Sequence, residues 1–174
     1  MSIVDRTRQF VMPFYEKKDA MHDISHIERV LKLARKIAGN YLIDKELMEL
    51  GAYLHEVIHL EEGKVIDFLK GEQLSEERIN EIRQVAWDSQ RDKTPQLIEG
   101  KILHDAHLLE GGKTFMVAKY LVLGTANGES LEEILEFMRN QSPSYRCSLP
   151  ESQDKYMEQK RYTRDFIDDL TDNL

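Results

Sequence analysis

Cysteine is nearly absent: Cys147 stands alone among 174 residues. One thiol can form no internal disulfide, and zinc sites built from several cysteines are excluded. Cys147 reads as a non-functional thiol near a loop. Proline is scarce as well, with four in the chain, so helices meet few interruptions. No long apolar run occurs, which leaves no candidate transmembrane helix. Residues Met1 to Gln9 carry charges early and lack the apolar stretch of a signal peptide, so a cytoplasmic location is expected. Positive charge is in deficit: 24 Lys and Arg face 32 Asp and Glu, a net charge of −8. Such a surface repels polymeric phosphate and anionic lipid. Neither a nucleic-acid polymer nor a membrane is an expected partner. A small phosphorylated substrate remains compatible, because a bound cation reverses the field inside one pocket. A homodimer stays open.

Apolar residues make up 41% of the chain, enough for a real core, and the length fits one domain over residues 1–174. The periodicity is helical throughout, so an all-α, single-domain helical bundle is expected. A first helix covers Ser2 to Glu16. Asp23 or Ser25 offers an N-cap for Ile27 to Gly39, where Val30, Leu33, Ala34 and Ile37 fall at helical spacing. Gly39-Asn40 would close it as a left-handed C-cap pair. Lys45 to His59 reads as a third, more apolar helix, and Gly63 to Leu69 as a short fourth. Ser75 caps the next, which carries Ile79, Ile82, Val85 and Ala86. Further helices are expected over Gln96–Gly111, Thr114–Leu123, Ser130–Arg139 and Glu151–Leu170, with a loop from Asn140 to Pro150. No repeat or low-complexity segment interrupts them.

What the chain does have is histidine in one region. All six (His22, His26, His55, His59, His104, His107) lie between residues 22 and 107, and three sit directly beside an acid: His22-Asp23, His55-Glu56 and His104-Asp105. Clustering on three separate helices suggests convergence on one centre. His22 and His26 are four apart and share a face. His55-Glu56 lies within the apolar run Leu50 to Leu60, and Asp105 follows Ile102-Leu103 and precedes Ala106. Burying an imidazole beside a carboxylate is costly unless something pairs with them. A divalent ion would do so, and a mixed imidazole–carboxylate set suits zinc, iron, manganese or nickel better than calcium. Any one of these histidines alone would more simply be a core residue satisfied by a hydrogen bond. His104 reads as solvent-facing or supporting, and His59 as supporting or structural.

His55-Glu-Val-Ile-His59 matches the H-E-x-x-H pattern of zinc proteases. That reading leaves His26 and Asp105 without a role. A second reading uses more of the chain. His22-Asp-Ile-Ser-His26-Ile-Glu-Arg29-Val30 resembles the opening H-D-x-x-H-x-x-R-V motif of HD-domain phosphohydrolases. Leu54-His-Glu-Val-Ile-His59 resembles the segment that names that family. Lys101-Ile-Leu-His-Asp105-Ala-His-Leu-Leu-Glu-Gly-Gly112 resembles its third motif, K-I-L-x-D-A-D-x-L-D-x-x-G. The order and separations fit, and the tail from Tyr156 to Leu170 resembles the closing helix of the small bacterial members.

The resemblance implies an all-helical fold and a metal-dependent phosphohydrolase acting on a nucleotide or other small phosphate ester. It implies His26, His55, Glu56 and Asp105 as ligands of a divalent ion (manganese, iron, nickel, zinc or magnesium), with Glu56, Asp105 and Arg29 serving the reaction. His22, Asp23, His59, Asp88 and His107 would support them; Asp23 would orient a ligand histidine, and Arg29 would pair with phosphate or with a carboxylate. Three positions depart from the family pattern: Glu56 replaces an aspartate, His107 replaces the second aspartate of D-A-D, and Asp88 stands where a histidine is frequent. Either metal or substrate preference is altered with activity kept, or the domain binds a metal or ligand without turnover.

Overall fold

The computed structural model describes residues 1–19, 21–140 and 145–173. Among them are nine helices and no strand, the all-α class expected. The chain divides into two compact units, residues 1–107 and 108–174.

In the first unit, α1 (Ile3–Tyr15) begins at a Ser2–Asp5 capping box, in which the Ser2 side chain accepts from Asp5 N and the Asp5 carboxylate accepts from Ser2 N. It buries Thr7, Val11 and Tyr15, one residue per turn. Asp23, not Ser25, caps α2 (Ile24–Ala38). The buried stripe of α2 runs His26, Ile27, Val30, Leu31, Ala34 and Ile37, so His26 is carried inward by the same period that buries the aliphatics. Gly39 ends α2 in a right-handed conformation (φ −57°), not the left-handed one expected.

The expected third helix is two. α3 (Lys45–Leu54), capped by Asp44, stops one residue short of His55, and α4 (Ile58–Gly71) begins after a turn over 55–57. α4 absorbs the expected short helix, with non-helical backbone at Glu61 (φ −142°, ψ 44°). α5 (Glu76–Asp88) starts at Ser75, as read from the sequence, and buries Ile79, Ile82, Val85 and Ala86. α6 (Ile98–Leu108) brings in Ile102, Leu103 and Ala106.

Gly51 sets the closeness of this core. A Cβ there would lie 2.4 Å from Val85 Cγ1 and 3.4 Å from Leu103 Cδ1, so α3 can pack against α5 at this spacing only without a side chain. Gly51 stands one turn before His55, and the close approach positions that turn.

The second unit holds α7 (Gly112–Ala126), α8 (Leu131–Asn140) and α9 (Pro150–Asp172). They pack on one another around Val117, Ile134, Leu135, Met138 and Ile167. The 140–150 loop falls partly outside the described residues; its described part includes a Cys147 N–H donating to Gln153 Oε1 at 2.8 Å. No helix among the described residues is long and apolar enough to cross a membrane.

Candidate metal centre

Four side chains of the first unit meet at one point: His26 on α2, His55 and Glu56 on the turn between α3 and α4, and His107 near the end of α6. Each offers one ligand atom, and these atoms lie within 4.8 Å of one another. The three imidazoles form a nearly equilateral group, with ring centroids 5.5 Å (26–55), 5.1 Å (26–107) and 5.3 Å (55–107) apart. All three rings are buried.

The backbone sets which nitrogens face inward. Residues 55–57 form a tight turn in which Val57 N–H donates to Leu54 O. That turn leaves His55 Nδ1 2.7 Å from Ala52 O. A carbonyl can only accept, so Nδ1 carries the proton and Nε2 presents its lone pair. His107 is held the same way, with Nδ1 3.1 Å from Ser89 O. His55 Nε2 is fully buried with no hydrogen-bond partner among the described residues. Glu56 Oε1 lies 3.7 Å from it, and His26 Nε2 lies 3.9 Å from the same oxygen. Gln90 Nε2 donates to His55 O at 3.0 Å, so the turn after α5 braces both histidines.

Protonation matches this arrangement. Burial, reinforced by His26, pushes His55 down to about 4. Burial, with Arg91 next, sends His107 well below its ordinary value. Burial would raise Glu56, but His55 and the Lys18 ammonium outweigh it and hold the carboxyl at about 2. With His55 neutral above that range, Lys18 is the partner that acts on Glu56 at neutral pH; its Nζ bonds Glu56 Oε2. Neutral imidazoles and an ionised carboxylate are the forms that bind metal. The donor set, the locked tautomers and the orphaned Nε2 of His55 fit a divalent ion.

This group differs from the set expected at one position. Asp105 lies outside it. Its carboxylate is fully buried, with Oδ1 3.1 Å from His104 Nδ1, and His104 is buried rather than solvent-facing. Residues 105 and 107 sit on one helix about 200° apart around its axis, and both are buried. The packing of α6 brings His107 to the group.

The expected supporting residues are dispersed. Asp23 spends its carboxylate on capping α2, accepting from Ser25 N and Oγ. Backbone carbonyls orient the rings of His55 and His107. His22 Nδ1 pairs with Asp19, 2.8 Å from Oδ2, and its ring edge faces His26 at 6.0 Å. Asp88 accepts from Gln84 Nε2 and Gln96 N and lies against Gly100, where a Cβ would come within 2.7 Å of its own Cβ. It ties the end of α5 to the start of α6. Arg29 donates to Ser25 Oγ (2.6 Å) and Met21 O (3.3 Å). The zinc-protease pattern fails on geometry: α3 ends before His55, and the His59 ring packs on Trp87, centroids 4.1 Å apart, outside the four-residue group. Lys18 escaped sequence reading because a lysine in a charged stretch (Glu16-Lys-Lys-Asp19) carries no signal of its contact.

Fold and site together define an all-helical domain with a buried imidazole–carboxylate pocket. The HD domain family pattern matches residues 23–111, about half the chain, and spans all four of these side chains; the chain belongs to the HD domain family. Solved structures share the fold over almost the whole length. Bacillus subtilis YpgQ in complex with ADP is 19% identical (TM-score 0.70, covering 98% of this chain and 97% of that one). A HD-superfamily hydrolase from Bacillus thuringiensis is 21% identical (TM-score 0.71, 98% and 95%). A Lactobacillus plantarum protein is 15% identical (TM-score 0.81, 99% and 98%). At these identities the likeness is one of fold. No curated protein matches the sequence.

Proposed function

We propose that this protein is a metal-dependent phosphohydrolase acting on a nucleotide or other small phosphate ester, with His26, His55, Glu56 and His107 holding the ion. The observation that carries the reading is the convergence of Nε2 of His26 and His55 on Glu56 Oε1, with the His55 and His107 tautomers held by backbone carbonyls. Membership of the HD domain family and the ADP bound to a fold relative support a small phosphorylated substrate. Three nitrogens and one oxygen favour zinc, iron, nickel or manganese over magnesium.

A divalent ion held there would supply Lewis acidity and compensate charge on a reacting phosphoryl group. The chain's own residues hold that arrangement. Ala52 O and Ser89 O fix the ring orientations. Glu56 supplies the one anionic ligand. Arg29 secures the start of α2 through Ser25 and Met21. Gly51 and the core around it keep the His55 turn from drifting.

A second reading is a non-catalytic metal- or ligand-binding domain on the same scaffold. Its support is Lys18, which engages the single carboxylate of the pocket. Metal analysis of the purified protein followed by a phosphate-ester screen with manganese, nickel, zinc and magnesium tests both. Turnover that disappears in His55→Ala supports the hydrolase and rejects the second reading. Less than about 0.1 equivalent of any transition metal after reconstitution rejects the metal site altogether.

A further inference from the structure

We infer that Lys18 is a switching cation, neutralising Glu56 in the metal-free pocket and receiving an anionic oxygen of the ligand once a divalent ion engages Glu56. This rests on the four-residue metal site proposed above.

The two oxygens of Glu56 are divided. Oε1 faces the imidazoles, 3.7 Å from His55 Nε2 and 3.9 Å from His26 Nε2. Oε2 is the one bonded by Lys18 Nζ. The ammonium therefore lies beyond the carboxylate, on the side away from the rings. Accessibility places it on the solvent side of the group: the Lys18 and Glu56 side chains are each 20% exposed, whereas the His26 ring is wholly buried.

Lys18 is anchored at its backbone and carries its charge on a long stem. Its backbone N–H donates to Tyr15 O just past the end of α1, and its Nζ lies 5.3 Å from the centroid of the buried Tyr15 ring. The flexible four-carbon stem can turn a point charge over several ångströms about that anchor. Arg29, the cation to which the sequence motif draws attention, has donors on Ser25 Oγ and Met21 O.

Charge arithmetic gives the switch its direction. Without metal, Lys18 and Glu56 cancel. A divalent ion takes over the role of countercharge to Glu56 and repels the ammonium across a short distance. The ion, Glu56 and Lys18 then sum to two positive charges, which match a phosphate dianion. In a chain of net charge −8, such a positive focus is what draws an anion to this one place.

Lys18→Met keeps the stem and removes the charge; Lys18→Arg keeps the charge. Cobalt(II) affinity is measured by visible-absorption titration, then the affinity of the cobalt-loaded protein for inorganic phosphate by calorimetry. Lys18→Met is expected to bind cobalt about threefold or more tighter, since a like charge and a competitor for Glu56 are gone. It is expected to bind phosphate about tenfold weaker, the loss of one charge-assisted contact. Lys18→Arg is expected to restore phosphate binding to within about threefold of wild type. Simple damage to the site would weaken both ligands together. Weakening of both, or phosphate affinity unchanged in Lys18→Met, overturns the switch while leaving the metal site standing. Failure of the wild type itself to bind cobalt removes both.

Discussion

The sharpest prediction separates His107 from Asp105, neighbours but one on α6. His107→Gln removes an imidazole from the four-residue group, whereas Asp105→Asn leaves all four in place. Structural zinc bound by four protein ligands is worth roughly 10–16 kcal/mol in apparent terms, so one ligand carries about 3–4 kcal/mol. That corresponds to a hundred- to thousandfold rise in Kd. Asp105→Asn keeps the volume and an oxygen beside His104, and its zinc affinity should stay within about tenfold of wild type. The assay is equilibrium competition against a chromophoric chelator. Stability enters as a control, because His107 is buried and its bond to Ser89 O is lost as well. Melting in excess chelator reports that contribution, expected to be about 1–3 kcal/mol. A hundredfold loss in Asp105→Asn with His107→Gln near wild type would refute the reasoning and return Asp105 to the ligand set.

Two further outcomes test the frame and the electrostatics. Gly51→Ala should destabilise the protein by about 1–3 kcal/mol, because its Cβ would meet Val85 Cγ1 at 2.4 Å. Gly63→Ala on α4 meets nothing within 4 Å and should be neutral or gain up to about 1 kcal/mol; chemical denaturation in chelator ranks the two, and equal effects would contradict the packing. Stability of the metal-free protein should fall on acidification. His55 is depressed to about 4 from 6.5, so between those values the unfolded chain takes up a proton that the folded one refuses. Stability is then present above pH 6.5 and lost toward pH 4, on the order of a few kcal/mol; Glu56, held at about 2, extends the loss below its ordinary 4.5. Melting temperature against pH should slope less in His55→Gln across 6.5 to 4, and an unchanged slope would refute the assignment.

Residues 22 to 107 show how far one dimension reaches. Helix propensity, the cap at Ser75, a cap at Asp23 or Ser25, and the aliphatic period were legible, because they depend on residues within a turn or two of each other. So were the histidine-rich segments, and the burial of His55 in an apolar run, since hydrophobic pattern encodes depth. The rotation of each helix about its axis was not. Asp105 and His107 are both flanked by aliphatics and both buried, and only the packing of α6 against its neighbours brings His107 to the other three side chains. The break after Leu54 was hidden for a related reason. Leu50 to Leu60 reads as one apolar segment, while the turn that points His55 Nε2 into the pocket answers to long-range contacts such as Gln90 on His55 O. Lys18 lies 38 residues from Glu56 in the chain, and nothing local marks the pair. Local chemistry thus determined the helices, the inward stripe and the kinds of ligand atom; tertiary packing decided which side chains meet, because convergence depends on helix phase and crossing, which no short stretch of sequence contains.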